Sequence, residues 1–404
     1  MTVTEEAAPN VASAVETSDK VASHLHPEGS FRVEDHEVPR GREEIWRFTP
    51  LKRLKGLHQD AALDGAAYSM DVTAPDAIRV ERVGADNPLK GSSGYVPHDR
   101  VSARAWHAAT SSFTVVVPKD TEVSEPVLVT LKGNGSDTAS AGHVVIVAEQ
   151  FSKATVVLRF EGSATIADNV EIVAKDGAHL TVVSVQDWAD DAVHHTHHHG
   201  LVGRDATLRH VAVSFGGDVV RMNVSIEYDG PGGEAELLGL YFADAGQHLE
   251  HRLFVDHNAP KTKSNVDYKG ALQGQGAHAV WIGDVLIRKI AEGIETYESN
   301  RNLVLTDGCR ADSVPNLEIE TGEIKGAGHA STTGRFDDQQ LFYLQSRGID
   351  EDEARRLVVH GFFADIIRKI GVPEIEADLL RTVEAELEKN VGANPVTNPV
   401  AVSA

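Results

Sequence analysis

The chain has 404 residues, 41% of them hydrophobic and 25% charged, with a formal net charge of −23. The composition is that of a soluble globular protein, and the acidic balance argues against nucleic acid and anionic membrane surfaces as partners, because both are bound through Lys and Arg. The one cysteine, Cys309, excludes an internal disulfide framework, a zinc finger and any iron–sulfur cluster held by this chain's own thiolates.

The first residues, MTVTEEAAPNVASAVETSDK, are acidic and small and lack the basic and apolar regions of a signal peptide. No apolar run approaches the ~20 residues of a membrane helix, so a cytoplasmic protein is expected. Residues 1–30 read as a disordered N-terminal arm. Residues 31–109 read as an N-terminal mixed or helical subdomain. In it Glu43-Glu-Ile-Trp-Arg-Phe-Thr-Pro50 docks on something through Trp46 and Phe48, and residues 60–105 look like loops and short elements.

From 110 to 334 the texture is short β-branched runs such as Phe113-Thr-Val-Val-Val117, Val144-Val-Ile-Val147 and Val170-Glu-Ile-Val173, bounded by Gly, Asp, Asn or Lys. A turn followed by a small residue and a strand recurs at Ala154, Ala178, Ala206, Ala235 and Ala277. Repetition at roughly 20–30 residues suits the stacked coils of a β-helix; a β-sandwich or meander is the alternative.

After 335 the period turns helical, and residues 335–390 read as a C-terminal helical subdomain. Asp337 can cap a first helix carrying Leu341, Phe342 and Leu344, with Gly348 stopping it. Asp350 and Glu353 form a capping box. Ala354, Leu357, Val358, Phe362 and Ile366 then share a face, and Gly371 and Pro373 end that helix. A third helix is expected from about 374 to 390, with a disordered tail over 391–404. Three short amphipathic helices cannot bury all their apolar surface among themselves, so they dock on the β body, a partner, or both.

His194, His195, His197, His198 and His199 lie within six residues and are candidate metal ligands. Side chains alternate along a strand, so at most two or three could converge; a solvated His-rich loop or strand edge is the preferred reading. His248, His251 and His257 read as polar residues on the outside of a sheet. There is no P-loop, complete dinucleotide fingerprint or serine-hydrolase elbow. Cys309, in a polar turn beside Asp307, Arg310 and Asp312, is either a small buried side chain or a thiol ligand. His329, flanked by small residues in Gly326-Ala-Gly-His-Ala-Ser331, is either a partner-facing group or a satisfied structural histidine.

Several stretches together resemble the SufB/SufD family of SUF-system iron–sulfur cluster assembly scaffolds. They are Ser299-Asn-Arg-Asn-Leu-Val-Leu305, Pro315-Asn-Leu-Glu-Ile319, Gly328-His-Ala330 and Leu341-Phe-Tyr-Leu-Gln-Ser-Arg-Gly348, with Asp256-His-Asn-Ala-Pro260, Ser264 and Tyr268-Lys-Gly270 upstream. Glu44-Ile-Trp-Arg-Phe-Thr-Pro50 resembles the family's N-terminal segment, and with the short length it favours the SufD branch over the SufB branch. The resemblance implies a right-handed parallel β-helix core with helical subdomains at both ends. It implies a non-catalytic scaffold that pairs with a SufB-type paralogue through the β-helix. It also implies docking of the SufC ATPase through the C-terminal helices, for which Leu341, Phe342, Leu357 and Phe362 are the candidates.

No stably bound cofactor is implied. Iron or a nascent cluster would pass through transiently at the SufB interface, near His329, which occupies the place of a histidine proposed to work with a SufB cysteine. Many members have Cys-Ser-His there; this chain has Ala327-Gly328-His329, so the neighbouring thiol is missing. Cys309 sits where SufB-type chains often have a cysteine. The alternatives are a SufB-like paralogue that holds the cluster itself, a metal-binding module built on the 194–199 histidines, and a carbohydrate-active β-helix enzyme. The last would need converging carboxylates, for instance among Asp244, Glu250 and Asp256.

Overall fold

The computed structural model describes residues 25–26, 28–64, 68–336 and 338–390. Most of the expected arm, the Asp337 cap and the expected tail over 391–404 lie outside the described residues.

The strands fall into two nine-stranded sheets that the chain visits alternately through the core. The first sheet stacks β1 (Tyr68–Thr73), β4 (Val127–Gly133), β6 (Lys153–Gly162), β8 (His179–Trp188), β10 (Thr207–Ser214), β12 (Glu234–Ala243), β14 (Lys263–Leu272), β16 (Glu295–Val304) and β18 (Gly326–Arg335). The second stacks β2 (Arg79–Gly84), β3 (Ser111–Val117), β5 (Gly135–Ala148), β7 (Ala164–Ala174), β9 (Val193–Gly203), β11 (Val219–Asp229), β13 (His248–His257), β15 (His278–Ile287) and β17 (Arg310–Ile319). Pairings inside each sheet are parallel, as between β8 and β10 or β9 and β11. Only the end pairs β1–β4 and β2–β3 are antiparallel. The mainly β, parallel β-helix expectation holds: the core is a parallel β-solenoid of about 8 turns.

The alanine repeat is real but mixes positions. Ala154 and Ala235 share one column of the first sheet. Ala178 and Ala206 lie just before β8 and β10, and Ala277 precedes β15 of the other sheet. All five are buried, because any turn entering a coil tucks a small side chain beneath the next coil.

Alternation along each strand puts one set of side chains inside the solenoid. One interior column runs Val156, Val182, His210, Leu237, Val266, Glu298, His329. Toward the last turns the interior becomes polar, with Glu298, Asn300 and Asn302 on β16 and Ser331 and Thr333 in register on β18. Two glycines make room for rings on neighbouring coils. A Cβ on Gly239 would lie 2.0 Å from the Tyr268 ring, and one on Gly270 would lie 1.9 Å from the Tyr241 ring.

Both outer faces are covered. On the second sheet, Trp46, Leu54, Leu57 and helix α1 (Arg100–Ala108) pack on Ala139, Ala167, Val193 and Val219. On the first sheet, α3 (Glu351–Lys369) and α4 (Pro373–Asn390), preceded by α2 (Asp338–Gln345), cover Val183, Val211, Val213, Leu238 and Leu240. Lys269 Nζ donates to the Phe362 carbonyl (3.0 Å) and meets Asp365 (2.8 Å), and Lys369 pairs with Asp267 at 2.6 Å. Asp350 caps α3 by accepting from the Glu353 amide at 3.0 Å.

Two details of the helical reading change. The buried face of α3 is Ala354, Val359, Phe363, Ile366 and Ile367, while Leu357 is 46% exposed. Apolar residues line α3 on more than one side, and the side that meets the sheet is fixed by packing rather than by period. Pro373 opens α4 as its first residue, where its missing N–H costs nothing.

Candidate functional site

The five clustered histidines are not on a solvated loop or strand edge. They lie on the central strand β9 and all are buried. Alternation divides them. His194 and His198 face the interior, where His194 contacts Asp168 (3.1 Å) and Gln186 (2.7 Å) and His198 meets His210 at 2.9 Å. His195, His197 and His199 face outward beneath the N-terminal cover. His197 and His199 both reach Ser225 Oγ at 2.8 Å, and His195 stacks on Trp46 at 5.8 Å. The metal-ligand candidates therefore sit on two faces of one strand. Burial holds His195, His198 and His199 down at about 4. The three histidines on β13 and its end are also buried rather than on an outer polar face.

Beneath the cover lies a buried ionic knot. Arg221 pairs with Glu250 and stacks 4.1 Å over the Trp46 ring, and Thr49 donates to Glu250 at 2.7 Å. Burial would raise the Glu250 carboxyl, but Arg221 beside it holds it well below the usual carboxylate range. Asp256 is taken up by Arg288 at 2.6 Å. Glu250 and Asp256 thus have separate cationic partners, and the convergent carboxylate pair that glycoside hydrolysis needs is not formed by them.

The C-terminal end of the solenoid carries the remaining candidates. Cys309 follows the Asp307–Gly308 turn, precedes β17 and is half-buried against the core. Its thiol donates to the Gly274 carbonyl at 3.4 Å, and burial pushes its pKa up, which keeps it a thiol and a poor nucleophile. His329 is exposed on β18, the last strand of its sheet, with its Cα paired to that of Glu298.

Glu298 is 1% exposed, and neither of its carboxylate oxygens has a hydrogen-bond partner. Burial, with Asp284 nearby, pushes its pKa up to about 8. The sequence reading passed over it. The only signal was polar residues at every second position through Thr296, Glu298, Asn300 and Asn302, which is indistinguishable from a solvated strand face. The docking candidates divide as well: Leu341 is buried and Phe362 half-buried, while Phe342 is 73% and Leu357 46% exposed.

Among the described residues, three potential metal ligands come within 4.8 Å of one another only at His26, Glu318 and Glu320, on the surface. No helix among them is long and apolar enough to cross a membrane.

Comparison with known proteins decides the family. Residues 130–362 match the family model described as the SUF system FeS cluster assembly, SufBD core domain. The chain belongs to the SufBD family. It is 54% identical over 387 residues to an iron–sulfur cluster assembly SufBD family protein of Mycobacterium tuberculosis (strain ATCC 25618 / H37Rv), covering 94% of this chain and 97% of that one. A SufBD family protein of Mycobacterium leprae (strain TN) is 53% identical over 364 residues, 89% of this chain and 93% of that protein. The iron–sulfur cluster assembly protein SufD of Bacillus subtilis (strain 168) is 27% identical over 300 residues, 72% of this chain and 68% of that protein. The SufBD core match spans the solenoid from β4 into α3, so the polar end with His329 and Glu298 lies within it.

Proposed function

We propose that this SufBD family member is the SufD-type scaffold subunit of a cytoplasmic SufB–SufC–SufD assembly, with no catalytic centre of its own. It pairs with a SufB-type paralogue through the last turns of the solenoid and docks the SufC ATPase on the C-terminal helices. Iron and the growing cluster are cargo at the subunit junction, where His329 works beside the paralogue's cysteine. The observation that carries this reading is the C-terminal end of the solenoid. Its interior is polar where a closed end would be apolar, and His329 stands exposed on its last strand. The single half-buried thiol supports the SufD branch over a SufB-like scaffold, since such a scaffold needs thiolates of its own.

The test is co-expression with SufB- and SufC-type partners followed by size-exclusion chromatography and cluster-assembly assays. Co-elution of the three chains is expected. His329→Ala should leave the complex intact and abolish cluster assembly, and unchanged assembly in that variant would remove His329 from the mechanism.

A further inference from the structure

Glu298 is hard to account for as a structural residue. An unpaired buried polar group costs about 1–3 kcal/mol, and more when it is charged. A Gln or Leu side chain at this position would carry no buried charge. Here the acid is instead accommodated. Gly283, across the interior on β15, leaves the space it needs: a Cβ there would lie 2.7 Å from Glu298 Oε1 and 2.4 Å from the Trp281 ring. Along its own column the next position is His329, on the same side of the sheet and open to solvent. The polar neighbours Asn300, Asn302 and Ser313 are bonded to one another, with Asn300 Oδ1 accepting from Ser313 (2.8 Å) and Asn302 (2.8 Å). They shape the end of the interior beside a carboxylate with no hydrogen-bond partner and, one coil on, an exposed imidazole.

We propose that Glu298 and His329 together form a seat for a divalent iron ion at the open end of the solenoid. A carboxylate with an imidazole is a donor set suited to ferrous iron, with the remaining positions left to water or to a partner's side chains. The bound cation supplies the partner that both carboxylate oxygens lack. This rests on the functional reading of His329 and deepens it. His329 is the outer ligand that meets the incoming ion, and Glu298 is the inner ligand that holds it against the solenoid.

The test uses the full-length chain under anaerobic conditions, titrated with Fe(II) by calorimetry and with Co(II) by its ligand-field absorption. One site per chain is expected in the wild type. Glu298→Gln and His329→Ala should each weaken binding at least tenfold, and Glu318→Gln, at the surface His26–Glu318–Glu320 group, should not. Glu298→Gln is nearly isosteric and removes a buried acid, so its melting temperature serves as the folding control.

Unchanged Fe(II) and Co(II) affinity in Glu298→Gln, or loss confined to Glu318→Gln, overturns the seat. The two readings separate in the assembled complex. If His329→Ala abolishes cluster assembly while Glu298→Gln retains both iron binding and assembly, the seat is wrong and the role of His329 stands. If His329→Ala assembles clusters normally, that role falls instead, and the Fe(II) titration of Glu298→Gln decides the seat by itself.

Discussion

Acidification should weaken this fold well before its carboxylates titrate. Burial holds His195, His198, His199, His251 and His257 at about 4 in the folded chain, against an ordinary 6.5. The unfolded chain therefore takes up protons first. Stability falls as pH drops through 6.5 and levels off below 4. At pH 5.5 each imidazole costs about 1.4 kcal/mol, and the five together about 7 kcal/mol, comparable with the whole stability of an ordinary domain. Glu298 works the other way. Its pKa is raised to about 8, so its destabilising effect is full above that value and fades as pH falls toward the ordinary carboxylate range. Between pH 7.5 and 5.5 it returns about 2.5 kcal/mol. Urea midpoints of Glu298→Gln at pH 7.5, 6.5 and 5.5, followed by tryptophan fluorescence, isolate the histidines. A midpoint unchanged over that range would show that these imidazoles are hydrated or charged in the folded chain, and the reasoning would fail.

Three further outcomes can be measured. In the same denaturation assay at pH 8, Glu298→Gln should be more stable than wild type by about 4 kcal/mol, whereas a loss of stability would mean that the carboxylate has a partner. Trp46→Ala should cost about 3–5 kcal/mol and expose the second sheet to limited proteolysis near residues 40–60, because the ring packs between His195 and Arg221. Phe342→Asp combined with Leu357→Asp should leave the melting temperature of the isolated chain nearly unchanged, since both are exposed, yet abolish co-purification with a SufC-type ATPase.

Much of the fold could be read from the sequence because a solenoid repeats its chemistry. Small residues entering each coil and short β-branched runs mark the turns, and Asp350 with Glu353 marks the start of α3. The histidines of β9 show what could not be read. Five imidazoles in six residues look like a surface, and only the two layers packed on either side of the strand, Trp188 and Phe160 inside and Trp46 and Tyr95 outside, make the site buried. Apart from Trp188, six residues before His194, those partners come from distant stretches of chain. Glu298 and Gly283 were silent for the same reason, since they meet only across the interior. His329 was legible through the motif around it, but its alignment over Glu298 follows from strand register, which no local pattern encodes.

The two ends of the solenoid differ in a way that bears on how copies can add to one another. At the start, β1 and β2 run antiparallel to the strands beneath them and are the end strands of their sheets. At the finish, β17 and β18 are the last strands of their sheets. A rod with two open ends can stack head to tail without limit, and unpaired strand edges are the usual route to fibres. The start offers antiparallel edge strands of 6 residues and the finish parallel ones of 10 residues, so the two ends present different templates to a joining strand. The rod is therefore polar, and a second solenoid meets a longer edge at the finish than at the start.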